Sequence, residues 1–166
     1  MILGMSVASF TVLHVIISLI GILSGAVVLF AMLGGRRLAG WTEAFLATTV
    51  ATSATGFLFH SKSIGPPHIV GAISLIVLAI ALFALYGRRL AGVWRSAYVV
   101  CAVLALYLNC FVGVVQAFQK LAFLQPLAPT QSEPPFVAAQ GAVLLLFVIL
   151  GFLSVRRFHP PQGAPA

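Results

Sequence analysis

The hexapeptide GRRLAG occupies residues 35–40 and returns unchanged at residues 87–92. Each copy follows one long apolar run and precedes another, so both arginine pairs separate candidate helices. Only 7% of the 166 residues are charged and 61% are hydrophobic, whereas a soluble domain carries about 25% charged residues. So few polar groups cannot cover a surface that faces water. We therefore expect lipid to surround most of this chain.

Five apolar stretches approach the length of a membrane helix, which is about 20 residues. Each stretch is continuous rather than alternating, and lipid offers no partner to open strand edges, so helices are expected. The predicted fold class is all-α, an integral membrane bundle of five transmembrane helices in one domain, residues 1–158. The predicted spans are Val7–Leu33, Trp41–Phe59, His68–Tyr86, Ser96–Phe118 and Phe136–Val155.

Two further segments complete the predicted organisation. Residues 119–135 are rich in proline and polar residues, which predicts a structured outer loop between the fourth and fifth spans. Residues 159–166 form a tail rich in proline and glycine, which is expected to be disordered and cytoplasmic.

Positive charge alternates from one connection to the next. All arginines fall on one side of the predicted bundle, whereas Lys62 and Lys120 are on the other side. The positive-inside rule then predicts a multi-pass protein of a bacterial inner membrane, with its N-terminus outside and its C-terminus in the cytoplasm. Because these charges separate spans instead of clustering on one solvated face, nucleic acid is not an expected partner. The predicted topology anchors are Arg36, Arg37, Arg88, Arg89, Arg95, Arg156 and Arg157.

The repeated hexapeptide belongs to a longer similarity between the first and third spans. Each of these spans has a histidine near its outer end, then Ile-Ser-Leu-Ile, then GRRLAG, then a tryptophan. Two extra residues separate the histidine from Ile-Ser-Leu-Ile in the second copy. The order of the matching parts predicts a duplicated parallel hairpin, made of spans 1–2 and spans 3–4, with the fifth helix appended.

Several polar residues are predicted to share one layer near the outer surface. Counted at 1.5 Å per residue from the arginines, they lie about 30–35 Å away along their helices. His14 shares a helical stripe with Ser18, Gly21 and Gly25, and small residues mark close helix contacts, so His14 is expected to point into the bundle. The layer consists of His14, His60, His68 and Gln116, with Asn109 on the same stripe as Gln116.

Ionisable groups within membrane spans point to function. Imidazole is the commonest metal ligand and an axial ligand of haem iron. His14, His60 and His68 are therefore candidate ligands of a b-type haem, or of a transition metal with Glu133 as an outer ligand. Asn109 and Gln116 would line the same outward-facing pocket. The plainer interpretation is that these groups form hydrogen bonds between helices near the lipid headgroups. The cofactor therefore stays unknown.

Three classes of function remain open from the sequence. The first is a redox or metal-binding membrane protein, and the second is a small transporter. The third is a structural or assembly subunit that contacts other membrane subunits or a second copy of itself. An enzyme with paired carboxylates is not expected, because the chain has no aspartate and Glu43 and Glu133 fall on opposite sides.

Two smaller expectations concern charge and cysteine. Glu43 is expected near a helix N-terminus, where it could pair with Arg36 or Arg37. Cys101 and Cys110 lie nine residues apart in one span, about 13 Å along a helix. That separation is too long for a disulfide, so both are expected to be free.

Overall fold

The computed structural model describes residue 2, residues 4–59 and residues 65–160. In this part of the chain the structure is all-helical with five α-helices, which confirms the predicted fold class to that extent. His60, Lys62 and residues 161–166 of the tail lie outside the described residues. The helices are α1 (Val7–Leu33), α2 (Ala39–Gly56), α3 (Pro66–Leu82), α4 (Val93–Lys120) and α5 (Pro134–Arg157).

Two short helical turns supplement these five helices. A π-helical turn, Phe83–Gly87, continues α3, and a short 3-10 helix, Gln125–Leu127, lies between α4 and α5. The helix starts follow capping chemistry more closely than hydropathy. The Ser6 side chain accepts a hydrogen bond from the Ser9 amide and caps α1. Prolines begin α3 and α5, two residues before the predicted starts, because proline suits a first helical turn.

Four of the helices are long and apolar enough to cross a membrane: α1, α3 with its π-helical turn, α4 and α5. The chain is therefore a membrane protein by the length and composition of its helices. The predicted second span is the exception, since α2 is not among these four. It has 18 residues, and its threonines, Ser53 and Glu43 lower its apolar character.

The helix α4 is the centre of the bundle. It packs against α1, α2, α3 and α5, and α1 also packs against α2. Ser154 is the only buried residue of α5. The exposed apolar side chains of this helix suit contact with lipid. The largest fully buried side chains include Tyr98, Phe45, Phe158 and Met32.

The arginine-bearing turns meet at one end of the bundle, called here the arginine end (residues 35–37, 87–95 and 156–158). Arg95 Nη1 donates hydrogen bonds to the carbonyls of Phe158 at 2.6 Å and Val155 at 3.2 Å. The Phe83 and Trp94 rings lie 5.1 Å apart between centroids. The opposite end, called the histidine end, comprises residues 10–14, 55–59, 65–68 and 115–136.

The two GRRLAG copies have different backbone conformations. In the first copy only Gly35 has a positive φ, of 70°, and α2 begins within the hexapeptide at Ala39. In the second copy Arg89 and Leu90 have φ values of 48° and 59°, and α4 begins only after Gly92. Identical residues therefore form two different connections, and the duplication of the hairpin stays a prediction.

The prediction that Glu43 pairs with Arg36 or Arg37 is wrong. Glu43 is exposed and no ion pair joins it to Arg36 or Arg37 in the described chain. Glu43 is the fifth residue of α2, whereas Arg37 lines a crevice with Tyr98 and Phe158 on the inner side of the same turn. Cys101 and Cys110 both lie in α4 and are free thiols, as expected from their spacing.

Candidate functional site: a histidine at the end of a polar helix seam

His14 links α1 to α2 at the histidine end. Its Nδ1 lies 2.8 Å from the Thr55 hydroxyl, and its ring packs edge-on to Phe59 at 5.2 Å between centroids. The Thr55 hydroxyl also donates to the Ala51 carbonyl at 2.7 Å. A hydroxyl has one hydrogen to donate, so this second bond favours Thr55 as the acceptor and His14 Nδ1–H as the donor. In that tautomer Nε2 carries the free lone pair.

His68 occupies the first turn of α3. Its Nδ1 accepts a hydrogen bond from the Gly65 amide at 3.3 Å, and its ring lies 5.7 Å from that of Phe57. The side chain thus helps to cap the start of α3, and its predicted role as a ligand stays a prediction. The third candidate, His60, lies outside the described residues.

The small residues of α1 mark its closest helix contacts. A Cβ atom added to Gly21 would lie 3.1 Å from Asn109 Nδ2 and 3.3 Å from the hydroxyl oxygen of Thr49. A Cβ at Gly25 would lie 2.6 Å from Leu106 Cδ1. The predicted small-residue stripe below His14 is confirmed, because only glycine lets α1 approach α2 and α4 so closely.

Polar side chains below His14 are used to join helices. Ser53 of α2 donates to the Ser74 hydroxyl of α3 at 2.9 Å, and both residues are buried. Asn109 is also buried, and its Nδ2 donates a long hydrogen bond of 3.5 Å to the Ser18 carbonyl. These contacts form the polar seam of the bundle, defined here as His14, Ser18, Ser53, Thr55, Ser74 and Asn109.

The other predicted pocket residues lie nearer the surface. Gln116 and Lys120 are exposed, although Lys120 is close enough for its charge to act on the His14 ring. Gln131 of the outer loop donates to the Val115 carbonyl at 3.1 Å, which ties that loop to α4. Of the predicted polar pocket pair, Asn109 is inside the bundle and Gln116 is at its surface.

Glu133 is engaged by its own turn. Its carboxylate accepts hydrogen bonds from the Thr130 amide at 3.1 Å, the Thr130 hydroxyl at 2.8 Å and the Ser132 amide at 3.0 Å. Desolvation opposes the charged form, but these hydrogen bonds outweigh it and place the pKa of Glu133 below its usual value. This carboxylate orders the outer loop directly before α5.

The described residues contain no cluster of side chains that could coordinate a metal ion together. Among residue 2, residues 4–59 and residues 65–160, no three His, Cys, Asp or Glu side chains are grouped to hold a metal ion. Comparison with protein-family models, curated proteins and solved structures gives no match to this chain. Function is therefore argued from the residues themselves.

Sequence reasoning missed two features of this arrangement. Thr55 was not identified as the partner of His14, because the two are 41 residues apart and only the packing of α1 on α2 joins them. Tyr98 was also missed, although a tyrosine in an apolar helix usually needs a partner for its hydroxyl. The Tyr98 hydroxyl is buried at the arginine end without a hydrogen bond.

Proposed function

We propose that this chain is a non-catalytic assembly subunit of a bacterial inner-membrane complex, with all five helices crossing the bilayer. The seven arginines at one end support an orientation with the N-terminus outside and the C-terminus in the cytoplasm. A tag fused to either terminus tests this orientation by its accessibility in intact cells. A C-terminal tag that is exposed to the periplasm would contradict it.

The inclusion of α2 among the spans rests on where its polar groups go. The hydroxyls of Thr48, Thr49 and Thr55 donate to carbonyls four residues earlier, at 2.6–2.7 Å. Ser53 bonds to Ser74. These four hydroxyls are satisfied inside the protein and therefore cost little in lipid, whereas the buried Thr52 hydroxyl has no hydrogen bond. At 1.5 Å per residue α2 is about 27 Å long, close to the hydrocarbon thickness of about 30 Å.

The observation that carries the assembly role is the outward face of α2. Along this face every side chain but one is a single methyl group or a hydrogen atom, so the backbone is unusually accessible. Small residues at helical spacing are typical of close helix–helix contacts in membranes. Ala47 and Ala54 are exposed, and Ala44 and Ala51 are half-buried. The face consists of Gly40, Ala44, Ala47, Ala51 and Ala54, with Glu43 at its arginine end.

The polar side chains of the structure also fit a structural role. His14 bonds to Thr55, Ser53 to Ser74, and the Glu133 carboxylate to its own turn. The two contacts between helices each stabilise a bundle by about 0.6 kcal/mol and need no bound ligand. These polar side chains therefore help to position the helices and the loop without taking part in a reaction.

Substitution on the α2 face tests the assembly role. Ala47→Leu adds bulk to that face, and Ala142→Leu is the matched control on exposed α5. The mass of the complex extracted in mild detergent is measured by native electrophoresis and light scattering. We expect Ala47→Leu to release the chain as a smaller species and Ala142→Leu to leave the complex intact. A wild-type chain that is monomeric in native membranes would refute the proposal.

A second candidate function rests on the His14 ring alone. With Nδ1–H directed to Thr55, Nε2 is the nitrogen available to bind a haem iron or a transition metal. We expect His14→Ala to abolish any bound cofactor, whereas His159→Ala at the arginine end should not. Absorbance in the Soret region and elemental analysis of the purified protein measure this. A spectrum without a Soret band, together with less than stoichiometric metal, excludes this candidate.

A further inference from the structure

A narrow crevice, too tight in this structure to hold a water molecule, lies at the arginine end. The α1–α2 connection forms one wall, with Arg36 and Arg37 beside the first turn of α2. Tyr98 of α4 lies opposite. The crevice is lined by Val28, Met32, Arg36, Arg37, Leu38, Thr42, Tyr98 and Phe158.

The polar groups in this crevice are donors without acceptors. Arg37 Nε and Nη2 are shielded from solvent and make no hydrogen bond. The Tyr98 side chain is fully buried, and its hydroxyl also lacks a hydrogen bond. Thr42 is a near neighbour of that hydroxyl but does not satisfy it in hydrogen-bond geometry. Buried donors of this kind, and above all a charged guanidinium, are costly to leave unpaired.

The N-terminus of α2, which lies beside these donors, is also electrostatically positive. No side chain caps α2 at Leu38, so the free amides of its first turn add partial positive charge next to Arg37. Glu43 is the one carboxylate at this end among the described residues, and it is exposed and unpaired. The described part of the chain therefore supplies no anion to this crevice.

From these observations we infer that the mouth of this crevice binds a phosphate group, held by the Arg36 and Arg37 guanidinium groups and the first turn of α2, and that the group reaches the Tyr98 hydroxyl as the crevice widens. Guanidinium groups bind phosphate through paired, charge-assisted hydrogen bonds. A helix N-terminus is a suitable site for a phosphate. In the proposed topology the crevice lies at the membrane surface, so an acidic phospholipid headgroup and free inorganic phosphate are the two sources to distinguish.

The second GRRLAG copy provides a matched control within the same molecule. Arg36 and Arg37 correspond to Arg88 and Arg89 by their place in the hexapeptide. In the second copy Arg88 lies over the Trp94 ring at 5.6 Å, and Arg89 is exposed. The substitutions Arg37→Gln and Arg89→Gln therefore change the same residue in the same sequence context, but only the first removes a crevice donor.

Thermal unfolding in detergent, followed by tryptophan fluorescence, measures the binding. Phosphatidylglycerol added to about ten times its Kd should raise the Tm of the wild-type chain by about 3–6 °C. Phosphatidylcholine is the neutral control lipid. Arg37→Gln should lower the affinity for phosphatidylglycerol about tenfold, which corresponds to about 1.4 kcal/mol. Arg89→Gln should bind as the wild-type chain does.

Two further variants test the same site if Arg37→Gln fails to fold. Arg36 is exposed, so Arg36→Gln should fold normally and still lose affinity severalfold, whereas Arg88→Gln should not. Tyr98→Phe keeps the ring and removes only the hydroxyl, and it should weaken binding about threefold or more.

The possible results distinguish a lipid headgroup from free phosphate, and both of these from the absence of a phosphate site. Stabilisation by phosphatidylglycerol but not by millimolar inorganic phosphate assigns the crevice to a lipid headgroup. Stabilisation by inorganic phosphate, lost in Arg37→Gln, assigns it to free phosphate. The inference is overturned if neither probe stabilises the protein, or if the substitutions in both GRRLAG copies have equal effects.

Discussion

Replacement of Gly25 by alanine should separate α1 from its two neighbours. A Cβ atom at this position would lie 2.6 Å from Leu106 Cδ1 and 2.8 Å from Phe45 Cδ2, whereas favourable carbon contacts lie at about 3.5–4.0 Å. Both neighbours are buried and have little room to move. Overpacking of this kind costs about 1–3 kcal/mol, and the better helix propensity of alanine returns up to about 1 kcal/mol. The expected net loss is about 1–2 kcal/mol.

The other glycines of the bundle provide an internal scale for this effect. At Gly21 the nearest atom to an added Cβ is Asn109 Nδ2, at 3.1 Å, and this terminal amide needs to move by only a few tenths of an ångström. Gly21→Ala should therefore destabilise the protein less than Gly25→Ala. At Gly141, on α5, an added Cβ meets nothing within 4 Å. Gly141→Ala should leave stability unchanged or raise it by up to about 1 kcal/mol.

Unfolding in mixed micelles of mild detergent and dodecyl sulfate measures this series. Trp41 and Trp94, the two tryptophans of the chain, report the transition by fluorescence. The midpoint dodecyl sulfate fraction should fall in the order Gly141→Ala, Gly21→Ala, Gly25→Ala. If Gly25→Ala unfolds at the same midpoint as Gly141→Ala, then α1 does not approach α2 and α4 as closely as described, and the packing argument fails.

Three further predictions concern individual polar contacts. The Ser53–Ser74 hydrogen bond should show a coupling of about 0.6 kcal/mol in a double-mutant cycle with alanine, and a coupling of zero would mean that the hydroxyls do not meet. Arg95→Gln should lower the free energy of unfolding by about 1.5–3 kcal/mol because its charged hydrogen bonds to the end of α5 are lost; Arg95→Lys should recover only part of this, and full recovery would contradict the two-carbonyl geometry. The lowered pKa of Glu133 means that its contribution to loop order is complete above its ordinary value of 4.5 and is lost as the pH falls through the lower pKa of the folded state. Hydrogen-exchange protection of residues 128–133, taken relative to the intrinsic exchange rate at each pH between 3 and 7, measures this; Glu133→Gln should remove the pH dependence of the protection, and an unchanged dependence in that variant would assign it to another group.

Much of the fold could be predicted because lipid restricts the choice of structure. Continuous apolar runs of this length have to be helices, and the first run, residues 7–33, coincides with α1. The spacing of glycines along that run predicted its closest contacts. Helix starts were less accurate, because hydropathy detects the apolar residues, whereas Pro66 and Pro134 begin the helices before the apolar residues.

The candidate site was less predictable, since its contacts join residues distant in sequence. The depth of His14 could be counted, but its partner Thr55 depends on how α1 and α2 rotate against each other. The repeated hexapeptide illustrates the same limit. Arg37 and Arg89 have identical neighbours in sequence, yet one side chain lines a crevice beside Tyr98 and the other is exposed. Tertiary packing, rather than the hexapeptide, decides the difference.

The helix α2 shows why composition alone misjudges a helix in a bundle. Its hydroxyl groups count against an apolar average, but those of Thr48 and Thr49 return to carbonyls of the same helix and that of Ser53 reaches α3. What α2 turns outward is instead a face of glycine and alanine, which offers little apolar area to lipid but close access to another backbone. The least apolar helix is thus also the one with an outer face of small residues, and the proposed assembly role rests on that asymmetry.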